Sequence, residues 1–234
     1  MAHNRNPEIS VIIPAKNYGS FIKETIESVL AQTLAVSEII LVDDGSEDNT
    51  KEIAQKYSEK VRYLYLNGKG VGAARNMGIK NSSSDFIAHL DADDVWVPEK
   101  LDLQYQEFLN DPGLEIAGGM MQPFYDRGLD PVRKENIYCS ETPLPGFSAS
   151  VMLIKRESFF KVGYYREDLK LGQDLDWFIR AREIPLKEKM IKKLVAYRRL
   201  HSNNSSMNNK EDRAERLHIL KQSMKRKTER GTSE

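Results

Sequence analysis

The sequence predicts an α/β fold: a single, doubly wound, mainly parallel sheet flanked by helices. Three observations favour this class. Short apolar runs rich in β-branched residues, which suit strands buried on both faces, alternate with stretches of helical periodicity. Two of these runs end in clusters of carboxylates, and ligands of open α/β sheets bind at the carboxyl ends of the strands. No shift in composition divides the chain into two independent domains.

The first half of the chain carries its strand and helix signals in alternating order. Asn49 and Glu52 have the spacing of a capping box, and Pro98 suits a first helical turn. This alternation favours parallel strands joined by helices. Strands are predicted at 9–14, 38–43, 62–66 and 85–91, and helices at 20–30, from 49 onward, at 68–79 and after 98.

The pattern is weaker in the second half, where prolines interrupt it. Residues 123–147 are predicted to be mostly loop, before a strand at 150–154 and a helix that contains Trp177. We expect this half to complete the same sheet and to supply a second wall to a cleft. The tail between Arg213 and Arg230 has seven Lys or Arg against two Glu, with apolar residues at helical spacing. This tail is either a packed or solvated helix, or a segment that contacts a membrane surface or a partner.

Composition limits the classes of partner and compartment. The 35 basic side chains balance the 35 acidic ones, so no bulk charge favours nucleic acid, which is not an expected partner. Cys139 is the single cysteine, which excludes an internal disulfide framework and fits a reducing compartment. Because no signal peptide and no spanning apolar stretch are recognisable, we expect a cytoplasmic protein, with peripheral contact at the cytoplasmic membrane face as the alternative for the basic tail.

Two acidic clusters follow apolar runs. Asp91, Asp93 and Asp94 lie within four positions, and a second cluster at 43–48 follows the run at 38–42. Crowded carboxylates repel one another unless a cation lies among them, and hard oxygen ligands suit Mg²⁺ or Mn²⁺, which commonly share coordination with substrate phosphates. A solvated turn is the alternative for each cluster seen alone. The two clusters together indicate phosphate or nucleotide chemistry.

Six motifs in order resemble the family 2 inverting glycosyltransferases of the GT-A fold. The resemblance spans residues 9 to about 206, and it implies transfer of a sugar from a nucleotide-diphosphate donor, commonly a UDP-sugar, with inversion at the anomeric carbon. It implies a GT-A domain over 8–206, with a nucleotide-binding half (8–110) and an acceptor half (111–206), before a basic helical tail over 207–234. The motifs are VIIPAKN (11–17), VDDGS (42–46), AARNMG (73–78), LDADD (90–94), GQD (172–174) and His201.

The resemblance also assigns the nucleotide contacts. Asp44 would read the base, because a carboxylate beside backbone N–H groups complements the N–H and carbonyl groups of uracil; a turn residue before Gly45 is the alternative. Arg75, near the start of a glycine-rich helix, would contact ribose or phosphate oxygens. The full predicted set is Pro14, Ala15, Lys16, Asp44, Asn67, Arg75, Asp91 and Ala92.

The predicted metal ligands are Asp93 and His201, and Asp94 could share the coordination. The resemblance implies Mn²⁺ or Mg²⁺ at this site. Such a cation would neutralise the charge that develops on the departing diphosphate. A structural histidine is the alternative for His201.

Asp174 is the candidate base that removes the proton of the acceptor hydroxyl. It lies near a helix start, where the helix dipole keeps a carboxylate ionised, and an N-cap is its alternative role. Asp168 and Asp176 are rival carboxylates that spacing alone does not separate from it. Trp177 is either an apolar platform for the acceptor or a core residue.

The expected partners are a nucleotide-sugar donor and a glycan, lipid-linked or protein acceptor, and oligomerisation is left open. Two other functions are alternatives. A non-catalytic nucleotide-sugar-binding domain would keep the same site without turnover. A haloacid dehalogenase-like phosphatase would use the DADDV segment at 91–95, with Asp91 as nucleophile, but would leave the earlier strands and the second acidic cluster without a role.

Overall fold

Strands and helices alternate along the chain in a computed structural model, which describes residues 7–146, 148–202, 204 and 209–231. In chain order the elements are β1 (Ile9–Ala15), α1 (Ile22–Leu30), β2 (Glu38–Asp43), α2 (Thr50–Gln55), β3 (Val61–Tyr65), α3 (Val71–Lys80), β4 (Phe86–His89), β5 (Val95–Trp96), α4 (Lys100–Asn110), β6 (Ile116–Tyr125), α5 (Pro131–Asn136), β7 (Leu144–Pro145), a 3₁₀ turn (Ala149–Val151), β8 (Leu153–Lys155), α6 (Arg156–Val162), α7 (Gln173–Arg182), β9 (Glu188–Leu200) and α8 (Asn209–Gly231).

The first four strands form the parallel half of one sheet, in the order β3-β2-β1-β4. Every residue of β1 is buried, as expected for an apolar strand covered on both faces. The chain winds outward from β1 to β3 and then crosses back to place β4 on the other side of β1. This reversal is a topological switch point, the place where open α/β sheets bind ligands at the carboxyl ends of their strands. The predicted α/β architecture, with a mainly parallel sheet flanked by helices, is confirmed.

The second half extends the same sheet through β8, β6, β9 and β5. Strands β8 and β5 are antiparallel to their neighbours, whereas β6 and β9 are parallel to each other. In the range 123–147, predicted to be mostly loop, 13 of the 24 described residues lie outside helices and strands, and the remainder form the end of β6, helix α5 and strand β7. Gly119 explains part of the weak signal in β6: a Cβ atom there would lie 2.5 Å from a methyl carbon of Val195 on β9. Close packing therefore requires glycine in the strand interior, where it lowers strand propensity.

Helix α2 begins where predicted, but without the predicted capping box. Asn49 occupies the N-cap position and its side chain makes no cap hydrogen bond. Instead the Thr50 amide donates to Oδ1 of Asp48 over 3.0 Å. The Asp48 carboxylate thus accepts a backbone N–H group at the helix start, where such groups have no partner within the helix.

Trp177 belongs to the hydrophobic core. It is fully buried, its ring stacks on Phe159 with centroids 5.3 Å apart, and its indole N–H donates to the Gly163 carbonyl over 2.9 Å. The core alternative is therefore correct, and the prediction of an acceptor platform is wrong, because a buried ring offers no surface to a substrate.

Helix α8 packs along α7. Ile219 is fully buried, and Arg226 and Ser223 both contact the carboxylate of Glu183. This arrangement supports the packed alternative for the tail, while a membrane or partner contact stays a prediction. Within the described ranges no helix is both long and apolar enough to cross a bilayer.

Candidate active site

A cleft of about 870 Å³ opens at the carboxyl ends of β1, β2 and β4. Helix α7, the segment before it and Arg216 of α8 form its other side. Asn67 and His201 are not part of the lining. The other nine of the eleven predicted site residues line it: Pro14, Ala15, Lys16, Asp44, Arg75, Asp91, Ala92, Asp93 and Asp174.

The ends of β1 and β2 form one corner of the cleft. The amide of Asp44 donates to the Ala15 carbonyl over 2.8 Å, which continues the parallel ladder past β2. The carboxylate of Asp44 accepts the backbone N–H groups of Lys69 and Gly70 over 2.7 and 2.8 Å. It thereby holds the glycine loop that precedes α3, where Gly70 has a φ of 94° that favours glycine. A contact between Asp44 and a base stays a prediction.

The neighbouring carboxylate of Asp43 has a structural role. Its Oδ2 accepts the Tyr63 hydroxyl over 2.6 Å, and its Oδ1 accepts the Ser46 amide over 2.8 Å. Burial, together with the hydrogen bond to Asp43, raises the pKa of Tyr63. Asn67 lies exposed in the loop that Asp44 anchors, where the Tyr65 hydroxyl donates weakly to it over 3.4 Å. Its predicted nucleotide contact remains a prediction.

Arg75 is the buried centre of the cleft. One guanidinium nitrogen binds Oδ1 of Asp174 and the other binds Oδ1 of Asp91 over 2.7 Å, while its buried Nε has no partner within the described residues. Burial disfavours the charge, but Asp174 and Asp91 outweigh it and raise the pKa of Arg75. The guanidinium is thus directed at two carboxylates in this structure, and its predicted contact with ribose or phosphate stays untested.

Asp93 and His201 meet at the inner edge of the cleft. Oδ2 of Asp93 lies 2.9 Å from Nε2 of His201 and accepts an N–H of Asn204 over 2.9 Å. The imidazole packs against Phe21, with ring centroids 4.5 Å apart. His201 is therefore held beside Asp93, 108 positions away in the sequence, and the metal-ligand role of both residues stays a prediction.

The carboxylates of Asp91, Asp93 and Asp94 concentrate negative charge in this part of the cleft. Burial and the neighbouring charges of Asp93 and Asp91 raise the pKa of Asp94 well above its usual range. Burial and Asp93 likewise raise the pKa of Tyr18. Among the described residues no three acidic, histidine or cysteine side chains are close enough to hold a metal alone. The donor chemistry nevertheless fits Mg²⁺ or Mn²⁺, which take one or two carboxylates together with substrate phosphates.

Asp174 projects from the first turn of α7. Gly172, with a φ of 73°, occupies the N-cap position, so the N-cap alternative for Asp174 is wrong. Oδ2 of Asp174 accepts the Ala149 amide over 3.0 Å, and its side chain stays 19% exposed to the cleft. Burial raises the pKa of Asp174, and the charge of Arg75 opposes this shift. A carboxylate with a raised pKa is a better proton acceptor.

The two rival carboxylates point elsewhere. Asp176 is fully buried and binds Arg180 over 2.8 Å, and Asp168 pairs with Arg166. Neither lines the cleft, so the structure separates the candidates that spacing could not.

Several lining residues were not found by sequence reasoning. Asn204 follows the unpredicted strand β9, and Tyr18 follows the motif that ends β1. Arg216 lies far along the chain on α8, where only tertiary packing brings it to the cleft. The further lining residues that the motifs did not indicate include Ser148, Lys170, Arg182 and Arg198.

Fold and cleft together define an α/β protein with a cleft at a topological switch point, where proteins of this class bind their ligands. The family model described as "Glycosyl transferase family 2" matches residues 10–168, more than half of the chain. The chain belongs to glycosyltransferase family 2.

Curated relatives agree with this family. The chain is 35% identical over 185 residues to an uncharacterized glycosyltransferase of Rickettsia prowazekii, which covers 74% of this chain and 58% of that protein. It is 29% identical over 217 residues to the chondroitin synthase of Escherichia coli, covering 87% of this chain and 30% of the relative. A Rickettsia felis relative matches at 31% identity over 32% of its own length. The chain thus spans about a third to three fifths of these relatives.

Solved structures share the fold. TarS from S. aureus, in a crystal structure of residues 1–349 in complex with UDP, has a TM-score of 0.67 and 21% identity, covering 82% of this chain and 60% of that one. The same protein in complex with UDP-GlcNAc has a TM-score of 0.68 at 21% identity, covering 86% of this chain and 61% of that one. At this identity the likeness establishes the fold alone.

Proposed function

We propose that the chain is an inverting glycosyltransferase that moves a sugar from a UDP-sugar to a hydroxyl acceptor. The observation that carries the proposal is that Asp93 and Asp174 line one cleft from two elements, the loop after β4 and the start of α7. A donor bound at the strand ends would have its diphosphate beside Asp93 and its sugar toward Asp174. A buried carboxylate with a raised pKa at that place favours an enzyme over a non-catalytic binder.

Asp174 acts as the base in this proposal. Its carboxylate takes the proton of the acceptor hydroxyl as the acceptor oxygen forms a bond to the anomeric carbon. The bond from that carbon to the diphosphate breaks, and UDP leaves with the electron pair. Attack from the face opposite the leaving group inverts the anomeric centre.

Asp93 and His201 would hold a divalent cation, with Asp94 beside them. When bound, Mn²⁺ or Mg²⁺ would neutralise charge on the departing diphosphate. The support is the crowding of carboxylates, because the charges of Asp93 and Asp91 add to burial in raising the pKa of Asp94. Side-chain carboxylates are ligands that either cation accepts.

Glycan, lipid-linked or protein acceptors remain the candidate acceptor classes. Relatives named chondroitin synthase and hyaluronan synthase support polysaccharide synthesis, and the structures of TarS with UDP and UDP-GlcNAc support a UDP-sugar donor.

A thermal-shift screen of UDP-, GDP- and dTDP-sugars, with and without Mn²⁺, tests the donor class. We expect stabilisation by a UDP-sugar that depends on Mn²⁺, followed by UDP release. Asp93→Ala should abolish the dependence on Mn²⁺, whereas Asp85→Ala, an exposed carboxylate at the opposite end of β4, should keep it. Stabilisation without any turnover would favour the non-catalytic binder, and phosphate release from simple monoesters would favour the phosphatase.

A further inference from the structure

The helical side of the cleft presents a continuous surface along α7. Asp174, Leu175, Phe178, Ile179 and Arg182 all line the cleft. They follow the pattern i, i+1, i+4, i+5, i+8 and therefore share one helix face. Eight positions separate the first from the last, which corresponds to about 12 Å along the helix axis. The surface thus leads away from the candidate base toward a distant arginine.

The acidic side chains of the cleft are concentrated on one side. Its strand-end side carries the carboxylates of Asp44, Asp91, Asp93 and Asp94 together with the cations of Lys16, Arg75 and Arg198. Its helical side carries three cations, and among the described lining residues there Asp174 is the single acid. We call this side the basic wall and define it by Lys170, Arg182 and Arg216.

Helix α8 builds the basic wall. The carboxylate of Glu215 accepts the backbone N–H groups of Lys170 and Leu171 over 2.7 and 2.8 Å. Ile219 is buried beside Gly172. A Cβ atom added to Gly172 would lie 2.9 Å from the Cδ1 methyl carbon of Ile219. These contacts bring Arg216 to the cleft rim beside Lys170. The carboxylate of Glu215 accepts these backbone N–H groups. The contact between α8 and the segment before α7 therefore places cations, rather than acids, at the rim.

Arg182 marks the far end of the basic wall. It pairs with Glu188 over 2.8 Å, and both side chains are exposed. Exposed pairs of this kind are weak and can exchange for another anion. A ligand that lies along α7 would therefore find cations at both ends and apolar side chains between them.

We propose that the basic wall binds an acceptor that carries a carboxylate or phosphate group away from its reacting hydroxyl. The inference rests on the proposed function, because the hydroxyl must reach Asp174. The apolar side chains Leu175, Phe178 and Ile179 pack against the less polar faces of sugar rings, and the cations form charge-assisted hydrogen bonds with the anionic group.

Three tetrasaccharide probes with one common backbone test the ligand chemistry. One carries glucuronate carboxylates, one carries a phosphate monoester, and one has its carboxylates reduced to alcohols. Isothermal titration in the presence of UDP should show about tenfold tighter binding of at least one charged probe than of the neutral probe. The two charged probes distinguish a carboxylate from a phosphate acceptor.

Matched double variants test the location. Lys170→Gln with Arg216→Gln removes two cations of the basic wall, and Lys221→Gln with Lys227→Gln removes two exposed cations of α8 outside the lining. We expect the first pair to weaken binding of the preferred charged probe by roughly tenfold, and the second pair to weaken this binding by about twofold or less. The second pair should leave hydrolysis of the UDP-sugar without acceptor unchanged.

Equal binding of the charged and neutral probes, or no binding of any probe, would overturn the inference. Equal weakening by the two double variants would also overturn it, since the effect would then follow net charge rather than position. If the wild-type protein hydrolyses no nucleotide-sugar, the proposed function fails instead, and the donor assay separates the two failures.

Discussion

Arg75 and Asp174 form an ion pair at the centre of the cleft, although 99 positions separate them in the sequence. The same guanidinium binds Asp91, so one buried cation joins the strand end to the start of α7. Burial alone would push Asp174 toward its protonated form, and Arg75 opposes that shift. The ion pair therefore keeps the candidate base ionised while its environment strengthens it as a proton acceptor.

Replacing Arg75 should change the pH dependence of transfer. Because Arg75 lowers the pKa of Asp174, Arg75→Gln should raise that pKa and leave more of the base protonated at a given pH. The acid limb of the kcat profile should then move to higher pH by about one unit or more, while Arg75→Lys, which keeps the charge, should move it less. An acid limb that stays in place or moves to lower pH in Arg75→Gln would contradict this assignment.

Removing divalent cations should abolish transfer, and Mn²⁺ or Mg²⁺ should restore it. Asp93→Asn keeps the shape of the side chain but loses a charged ligand. We expect the Mn²⁺ concentration for half-maximal activity to rise by about tenfold or more. The exposed Asp85→Asn variant serves as control. Full activity in the presence of a chelator would show that the carboxylates around Asp93 do not serve a cation.

Lys100 is a buried lysine whose replacement should alter the pH dependence of stability. Its Nζ donates to Gln104 over 2.7 Å and lies 4.1 Å from the centroid of the Trp96 ring, and burial lowers its pKa well below 10.5. Between the folded-state pKa and 10.5 the unfolded chain binds a proton that the folded chain lacks. The free energy of unfolding therefore rises with pH in this window, with about 1.4 kcal/mol for each unit of pKa difference.

Lys100→Met removes this titration. Compared with the wild type, the variant should gain stability near neutral pH, and this gain should shrink as the pH approaches 10.5. Urea unfolding across the window measures the difference, with Lys60→Met as an exposed control. A difference in unfolding free energy that is constant with pH, or that grows toward alkaline pH, would disprove the assignment.

Glu215 is a positioning residue for the start of α7. Glu215→Ala leaves the N–H groups of Lys170 and Leu171 without their carboxylate acceptor. Faster amide hydrogen exchange at both positions should accompany a kcat roughly tenfold lower, with the KM for the donor little changed. Glu229→Ala, which removes an exposed carboxylate further along α8, is the control. Unchanged exchange and kcat in Glu215→Ala would show that α8 does not support this segment.

Local sequence patterns were enough to predict strands whose own residues show that they are buried. The buried run of β1 and the carboxylates after β2 and β4 predicted the parallel half and the acidic residues at the strand-end side of the lining, since strand ends of a parallel sheet meet at one edge. Strand β9 was missed because its exposed residues come in consecutive pairs, Glu188 with Lys189 and Lys192 with Lys193, which break the alternation of apolar and polar residues that indicates a strand.

Tertiary packing decided the remaining features of the site. Only the fold distinguishes Asp174 from Asp168 and Asp176, because all three lie in one short acidic segment. The approach of Arg216 depends on α8 lying along α7. The direction of the Arg75 guanidinium toward two carboxylates likewise follows from the geometry of three separate elements.

The most direct test of the account is the rate of sugar transfer by Asp174→Asn, with UDP-sugar binding measured by thermal shift in the same samples. The variant keeps a hydrogen-bonding side chain of the same size but cannot accept the acceptor's proton. We predict that transfer falls by about 100-fold or more with donor binding retained, whereas Asp168→Asn transfers at the wild-type rate. Wild-type transfer by Asp174→Asn would contradict the assignment of this carboxylate as the base and, with it, the proposed geometry of the cleft.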